Sequence, residues 1–272
     1  MYPVVDNSPE FQALLAGRDD VDLARVALEV AADACPGLDK LSTLKKLERL
    51  GDRVAERLPD EPESWLVLAA VNQVLFAEEG LRGNEEDYYD PRNSYLNLVL
   101  ERRRGIPLTL AIIYQAVAKH AGLSLYGVNL PAHFVLRTTG EDETVFIDAF
   151  HGGRLLDRPG VQELVASVSG QPLTIVESQY APCGPDVVVR RLLYNLKLVY
   201  LRQRRMASAI PVLKRLALLS RETPAELRDL GIACFYGERR RESVGYLEEY
   251  LRLAPYADDA DEVRLLLRSA GN

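Results

Sequence analysis

The sequence predicts an α+β fold, and three observations predict it. Leu108 to Ala121 carries apolar side chains in nearly every direction (Leu108, Leu110, Ala111, Ile112, Ile113, Ala116, Val117, Ala118), and a helix apolar all round is a buried helix. Downstream lie two strand-like runs, His133-Phe-Val-Leu-Arg-Thr138 and Glu143-Thr-Val-Phe-Ile-Asp148, separated by Thr139-Gly140-Glu141-Asp142, a polar turn of hairpin length. On both sides of this core, apolar residues recur at helical spacing.

The N-terminal part, residues 1–80, reads as a helical subdomain packed on the core. Residues 1–17 are expected to be partly loose, with a short helix near Phe11–Leu15. Asp22–Ala34 repeats apolar residues at Leu23, Val26, Ala27 and Val30 before Pro36-Gly37 breaks it. Leu38–Leu58 continues the pattern through Leu41, Leu44, Leu47 and Val54 to Pro59, and Trp65–Glu78 forms a third helix that stops at Gly80. No catalytic residue types are arranged in this part.

The core part spans residues 81–180. Residues 81–93 read as a polar loop. Its acids, Glu85, Glu86, Asp87 and Asp90, lack the alternation and fixed glycine of an EF-hand, so a solvated loop is expected rather than a metal site. Asn93 or Ser94 is placed to cap a helix over Tyr95–Arg103. Gly105 can cap the buried helix, Pro107 suits its first turn, and Gly122 ends it as a left-handed residue. That helix is too short to cross a bilayer, which takes about 20 apolar residues.

A hairpin centred between Gly140 and Glu141 pairs Phe134 with Ile147 and Leu136 with Val145 on a face turned to the core. The other face then pairs His133 with Asp148, Val135 with Phe146 and Arg137 with Thr144. Directly opposed residues hold their Cβ atoms about 5 Å apart, within carboxylate–imidazole reach, and a slip of one residue would put the pair on opposite faces. His133 and Asp148 are therefore the candidate chemistry, although a strand histidine and a strand-end aspartate also serve purely structural roles. Three further residues are candidates for ligand contact. His151 sits in the turn His151-Gly152-Gly153-Arg154, Asn129 lies on the preceding strand, and Arg104 stands at the entrance to the buried helix. Asn129 reads equally as a turn amide. His120 is expected to be exposed at a helix end.

The formal net charge is −7, which argues against a nucleic-acid-binding surface; the triple-arginine runs at 102–104 and 239–241 read as solvated helix ends. Cys35, Cys183 and Cys234 lie far apart, in neither a disulfide framework nor a zinc pattern. With an acidic start that lacks the cationic region of a signal peptide, they point to the reducing cytoplasm. No membrane partner, metal or cofactor is expected.

After a short helix over Val161–Val168 and a linker over Gln171–Pro185, residues 186–272 contain a repeat. Leu196, Tyr200, Ala209 and Leu213 are matched 34 residues later by Leu230, Cys234, Ser243 and Leu247, the period and residue types of tetratricopeptide (TPR) hairpins. Lys197 departs from the pattern, standing where a small residue is usual. A last helix is expected over Asp261–Ser269. Two units cannot easily stand alone, so this section is either a stabilising appendage or a concave groove for a peptide or protein partner.

The runs FAEEGLRGNEEDYYDPRNSYLNLVLERRRGIPLTLAIIYQAVAKHAGL, VNLPAHFVLR and FIDAFHGGRLL resemble the SirB-type family of bacterial transglutaminase-like proteins, and the resemblance covers the chain from about Asp22 onward. It implies a transglutaminase-like, papain-related core of helix plus antiparallel sheet, with a catalytic cysteine at the start of the buried helix and histidine and aspartate on two following strands. His133 and Asp148 match the latter two. The cysteine position falls on or beside Pro107, which has no nucleophilic atom. Thr109 offers a hydroxyl that nothing in the spacing aims at His133, and Cys183, in a loop outside the core stretch, is the remaining candidate for a displaced thiol. The expectation is a non-catalytic protein- or ligand-binding module. The alternative is a hydrolase or acyl or amide transferase in which His133, polarised by Asp148, activates water or a substrate nucleophile.

Overall fold

A computed structural model describes residues 7–138, 144–220 and 223–270; the hairpin turn at 139–142 lies outside the described residues. The chain forms two compact units, Asp19–Leu192, and Leu193–Asn272 together with Met1–Arg18. Helix α1 (Pro9–Leu15) thus belongs with the C-terminal helices. This grouping differs from a helical subdomain over residues 1–80. Its physical basis is Arg215, a fully buried cation that donates to the Ser8 hydroxyl at 3.0 Å and lies 4.8 Å over the Phe11 ring. A buried charge is tolerated only where such partners surround it.

In the first unit, α2 (Leu23–Ala34) and α3 (Lys40–Ala55) begin at aspartate caps: Asp22 accepts the Ala24 N–H at 2.9 Å and Asp39 accepts the Ser42 N–H at 2.9 Å. The expected helix to Glu78 is α4 (Ser64–Asn72) followed by a π-helical turn, Gln73–Glu78. Residues 81–93 are more than a solvated loop. Arg82–Gly83 forms β1, and a 3-10 turn over Pro91–Ser94 leads to α5 (Leu96–Arg102). Asp90 caps that turn through the Arg92 N–H, so Asn93 and Ser94 lie inside it and Tyr95 is the α5 cap. β2 (Arg104–Gly105) pairs in parallel with β1, so Gly105 is a strand residue and Ile106 caps α6 (Pro107–His120).

Strands β3 (Tyr126–Asn129), β4 (Phe134–Arg137), β5 (Phe146–Asp148) and β6 (Arg154–Leu156) form an antiparallel sheet in sequence order. The β4–β5 register differs from the expected one by two residues: Leu136 opposes Ile147 and Arg137 opposes Phe146. The hairpin closes at Thr138 and Val145, whose N–H groups bond the partner's carbonyl and hydroxyl at 3.0 and 3.2 Å, and this leaves the half-buried Val145 outside the core pairs. An even slip keeps every side chain on its own face. Phe134, Leu136 and Ile147 pack with Leu110, Ile113 and Val117 of α6, while Val135 and Phe146 pack with Val161 and Val165 of α7 (Arg158–Ser169) on the other face.

In the second unit, α8 (Pro185–Arg202) enters from the first, and α9 (Met206–Leu219), α10 (Pro224–Tyr236), α11 (Arg240–Leu253) and α12 (Ala260–Ala270) follow. α9 and α11 start and end 34 residues apart, as do the ends of α8 and α10 and the left-handed residues Arg204 and Glu238. Leu196, Tyr200, Ala209 and Leu213 are buried, and so are Leu230, Cys234, Ser243 and Leu247. Lys197 is held by Glu226 at 2.9 Å and Asp229 at 2.7 Å.

Candidate functional site

The N-terminus of α6 carries no nucleophile. Pro107 occupies its first turn and is buried. The Thr109 hydroxyl is engaged in the backbone, accepting the Ile106 N–H at 3.2 Å and donating to the Asn93 carbonyl at 2.7 Å. Asn93 in turn donates to the Asp87 carbonyl at 2.7 Å and accepts from Asn84 at 3.0 Å, so a buried amide network fastens the 84–94 segment to the start of α6.

Asp148 ends β5 and its side chain is fully buried. One oxygen meets His133 Nε2 at 2.9 Å and the Phe150 N–H at 3.1 Å, and the other meets His151 Nδ1 at 2.6 Å. His133 follows Pro131 and the left-handed Ala132 (φ 57°), a tight bend that aims its ring from the β4 entrance across to Asp148. Burial alone would raise the Asp148 pKa; the hydrogen bonds from His133 and His151 outweigh it and hold the carboxyl below its usual range. His151 turns Nε2 to the side of Glu85, 3.9 Å away. His133 is 2% exposed, whereas the His151 side chain is 38% exposed. The predicted base is therefore sealed, and the member of the cluster that meets solvent is His151. His133, Asp148 and His151 are also the described residues whose potential metal ligands lie within 4.8 Å of one another. Two imidazoles and a carboxylate suit zinc or iron, but each imidazole here points its nitrogen along a hydrogen bond to the carboxylate.

A cleft of about 400 Å³ opens beside this cluster, lined by Arg82, Gly83, Glu85, Glu86, Arg104, Phe150, His151 and Gly152. The structure thus brings Arg104 and His151 to one opening. It does not bring Asn129 there: its side-chain oxygen accepts from Arg191, which also bonds the Leu130 carbonyl at 2.8 Å. Cys183 lies against β3, its N–H bonded to the Gly127 carbonyl at 2.8 Å, and burial pushes its thiol up to about 11. At neutral pH it is a thiol, not the thiolate a nucleophile requires. Cys234 is buried in the other unit and likewise pushed up to about 11 by burial.

Arg82, Glu86 and Phe150 are cleft residues that sequence reasoning did not single out, and of these Arg82 had a signal in the chain. Its signal was a repeated dipeptide, Arg82-Gly83 and Arg104-Gly105. The glycines permit close packing: a Cβ at Gly83 would stand 2.7 Å from the Phe150 ring, and one at Gly105 2.9 Å from Val99. The arginines are held opposite each other in the β1–β2 register.

Residues 42–194 match the model of a transglutaminase-like superfamily domain. A UPF0162 protein of Xylella fastidiosa (strain 9a5c) is 36% identical over 259 residues, covering 92% of this chain and 91% of that one. The chain belongs to the UPF0162 family. Another UPF0162 protein, from Pasteurella multocida, is 29% identical over 181 residues, 66% of this chain and 68% of its own. The human F-box only protein 21 is similar over a shorter stretch, 34% identical across 138 residues, which is 48% of the UPF0162 chain and 21% of that protein. In this UPF0162 chain the matched domain contains the whole His133–Asp148–His151 cluster and the cleft beside it.

Proposed function

We propose that this UPF0162 chain is a non-catalytic binding module built on a transglutaminase-like core. The observation that carries the reading is Pro107 in the first turn of α6, where chemistry of this kind needs a thiol. Three further features support it: the Thr109 hydroxyl is engaged, Cys183 is a protonated thiol beside another strand, and His133 is closed off from solvent. The 34-residue recurrence of α8–α9 in α10–α11 supports a tetratricopeptide-like reading of the second unit. A peptide or protein is the partner class such a surface takes. The three free cysteines accord with work in a reducing cytoplasm, and the SirB-type assignment belongs to this same proposal.

The test is to incubate the full chain with peptide and amide libraries, with and without an amine acceptor, alongside His133→Ala. We expect equal inertness. Turnover by the wild type that His133→Ala abolishes would overturn the reading and assign His133 as a base.

A further inference from the structure

The β1–β2 pair sets two arginines directly beside each other. Arg82 and Arg104 are direct partners in a parallel ladder, so both side chains leave the same face, and both line the cleft at His151. Like charges placed opposite each other destabilise a ladder. Gly83 packs closely on Phe150 and Gly105 on Val99, which holds the two strand backbones in place beneath the arginines. The chain supplies two carboxylates at this cleft, Glu85, whose Oε1 lies 3.9 Å from His151 Nε2, and Glu86. Glu86 Oε2 lies 2.6 Å from Arg104 Nη1, yet the Glu86 side chain is 79% exposed and reaches the pair from the solvent side.

We propose that this cleft binds an oxyanionic group of a small ligand, a carboxylate or a phosphate, and that Glu86 is a tethered competitor which the ligand displaces. Arg82 and Arg104 supply forked N–H donors suited to either anion. His151, held by Nδ1 on Asp148, adds its ring edge to the cleft wall. Phe150, between the arginines and the histidine, gives an apolar wall for the rest of the ligand. This inference is independent of whether the core is catalytic, since none of these groups needs a nucleophile.

The experiment follows the arginine side-chain N–H signals of the full chain by NMR while sodium phosphate and, separately, sodium acetate are added at constant ionic strength. We expect saturable shifts of Arg82 and Arg104 with at least one of them. Saturation by phosphate alone assigns a phosphate ligand, and saturation by acetate alone a carboxylate. Glu86→Gln removes only the charge of an exposed side chain and should tighten binding by about two- to fivefold, the worth of a surface ion pair. Arg82→Ala with Arg104→Ala should weaken it by about tenfold or more. Saturation by neither anion, or an affinity unchanged in Glu86→Gln, overturns the proposal even if the arginine variant does not fold.

Discussion

Asp148 compensates its burial through three donors, His133, His151 and the Phe150 N–H. Replacing it strands His133 in a dry environment, so Asp148→Ala should cost about 3–5 kcal/mol. His151→Ala leaves Asp148 two donors and should cost about 1 kcal/mol. Urea titration of both variants checks the order. The Asp148 pKa is lower folded than unfolded, so its contribution is complete above the unfolded value of about 4 and is lost as pH falls through the folded value. Asp148→Asn should therefore flatten the acid limb of the stability–pH curve. The meeting of His133 and Asp148 was legible in the strand pattern, because side-chain alternation survives a two-residue error in register. That His133 is sealed was not legible. Its closure depends on Phe150 and His151, whose rings lie 6.0 and 5.8 Å from it and which come from a 3-10 turn without periodicity.

Among the elements, α10 and α11 offer a matched pair of glycines. A Cβ added at Gly245 in α11 would meet nothing within 4 Å, whereas one at Gly231 in α10 would stand 2.5 Å from Leu247. Gly245→Ala should stabilise the protein by about 0.5–1 kcal/mol through helix propensity. Gly231→Ala gains the same propensity but overpacks the α10–α11 contact and should lose about 1–3 kcal/mol. Thermal melts of the two variants should move in opposite directions. The long helices were legible because 3.6-residue periodicity accumulates over several turns, as in α2, α3 and α6. β1 and β2 were not, since two residues show no period; their Arg-Gly dipeptides read instead as loop and helix end. The α5 and α6 starts were each misplaced by one or two residues because Asp90 and Thr109, rather than the expected caps, hold the backbone there.

Across the molecule, the grouping of α1 with the C-terminal helices was hidden in the sequence, because its apolar stripe does not name its partner; Arg215, deep in α9, supplies it. The sheet of the first unit has a consequence of its own. Both of its faces are covered, so Leu136 belongs to the packing around α6 and its chain neighbour Val135 to the packing around α7. Leu136→Ala should cost about 2–5 kcal/mol and Val135→Ala a smaller amount. With no shared packing partner, the double variant should lose the sum to within about 0.5 kcal/mol, measured by denaturant unfolding. The ribbon of peptide groups acts as a bulkhead: a void opened in one hold does not let its neighbour's cargo shift, and two adjacent letters of the sequence can be rewritten as though they stood in different proteins.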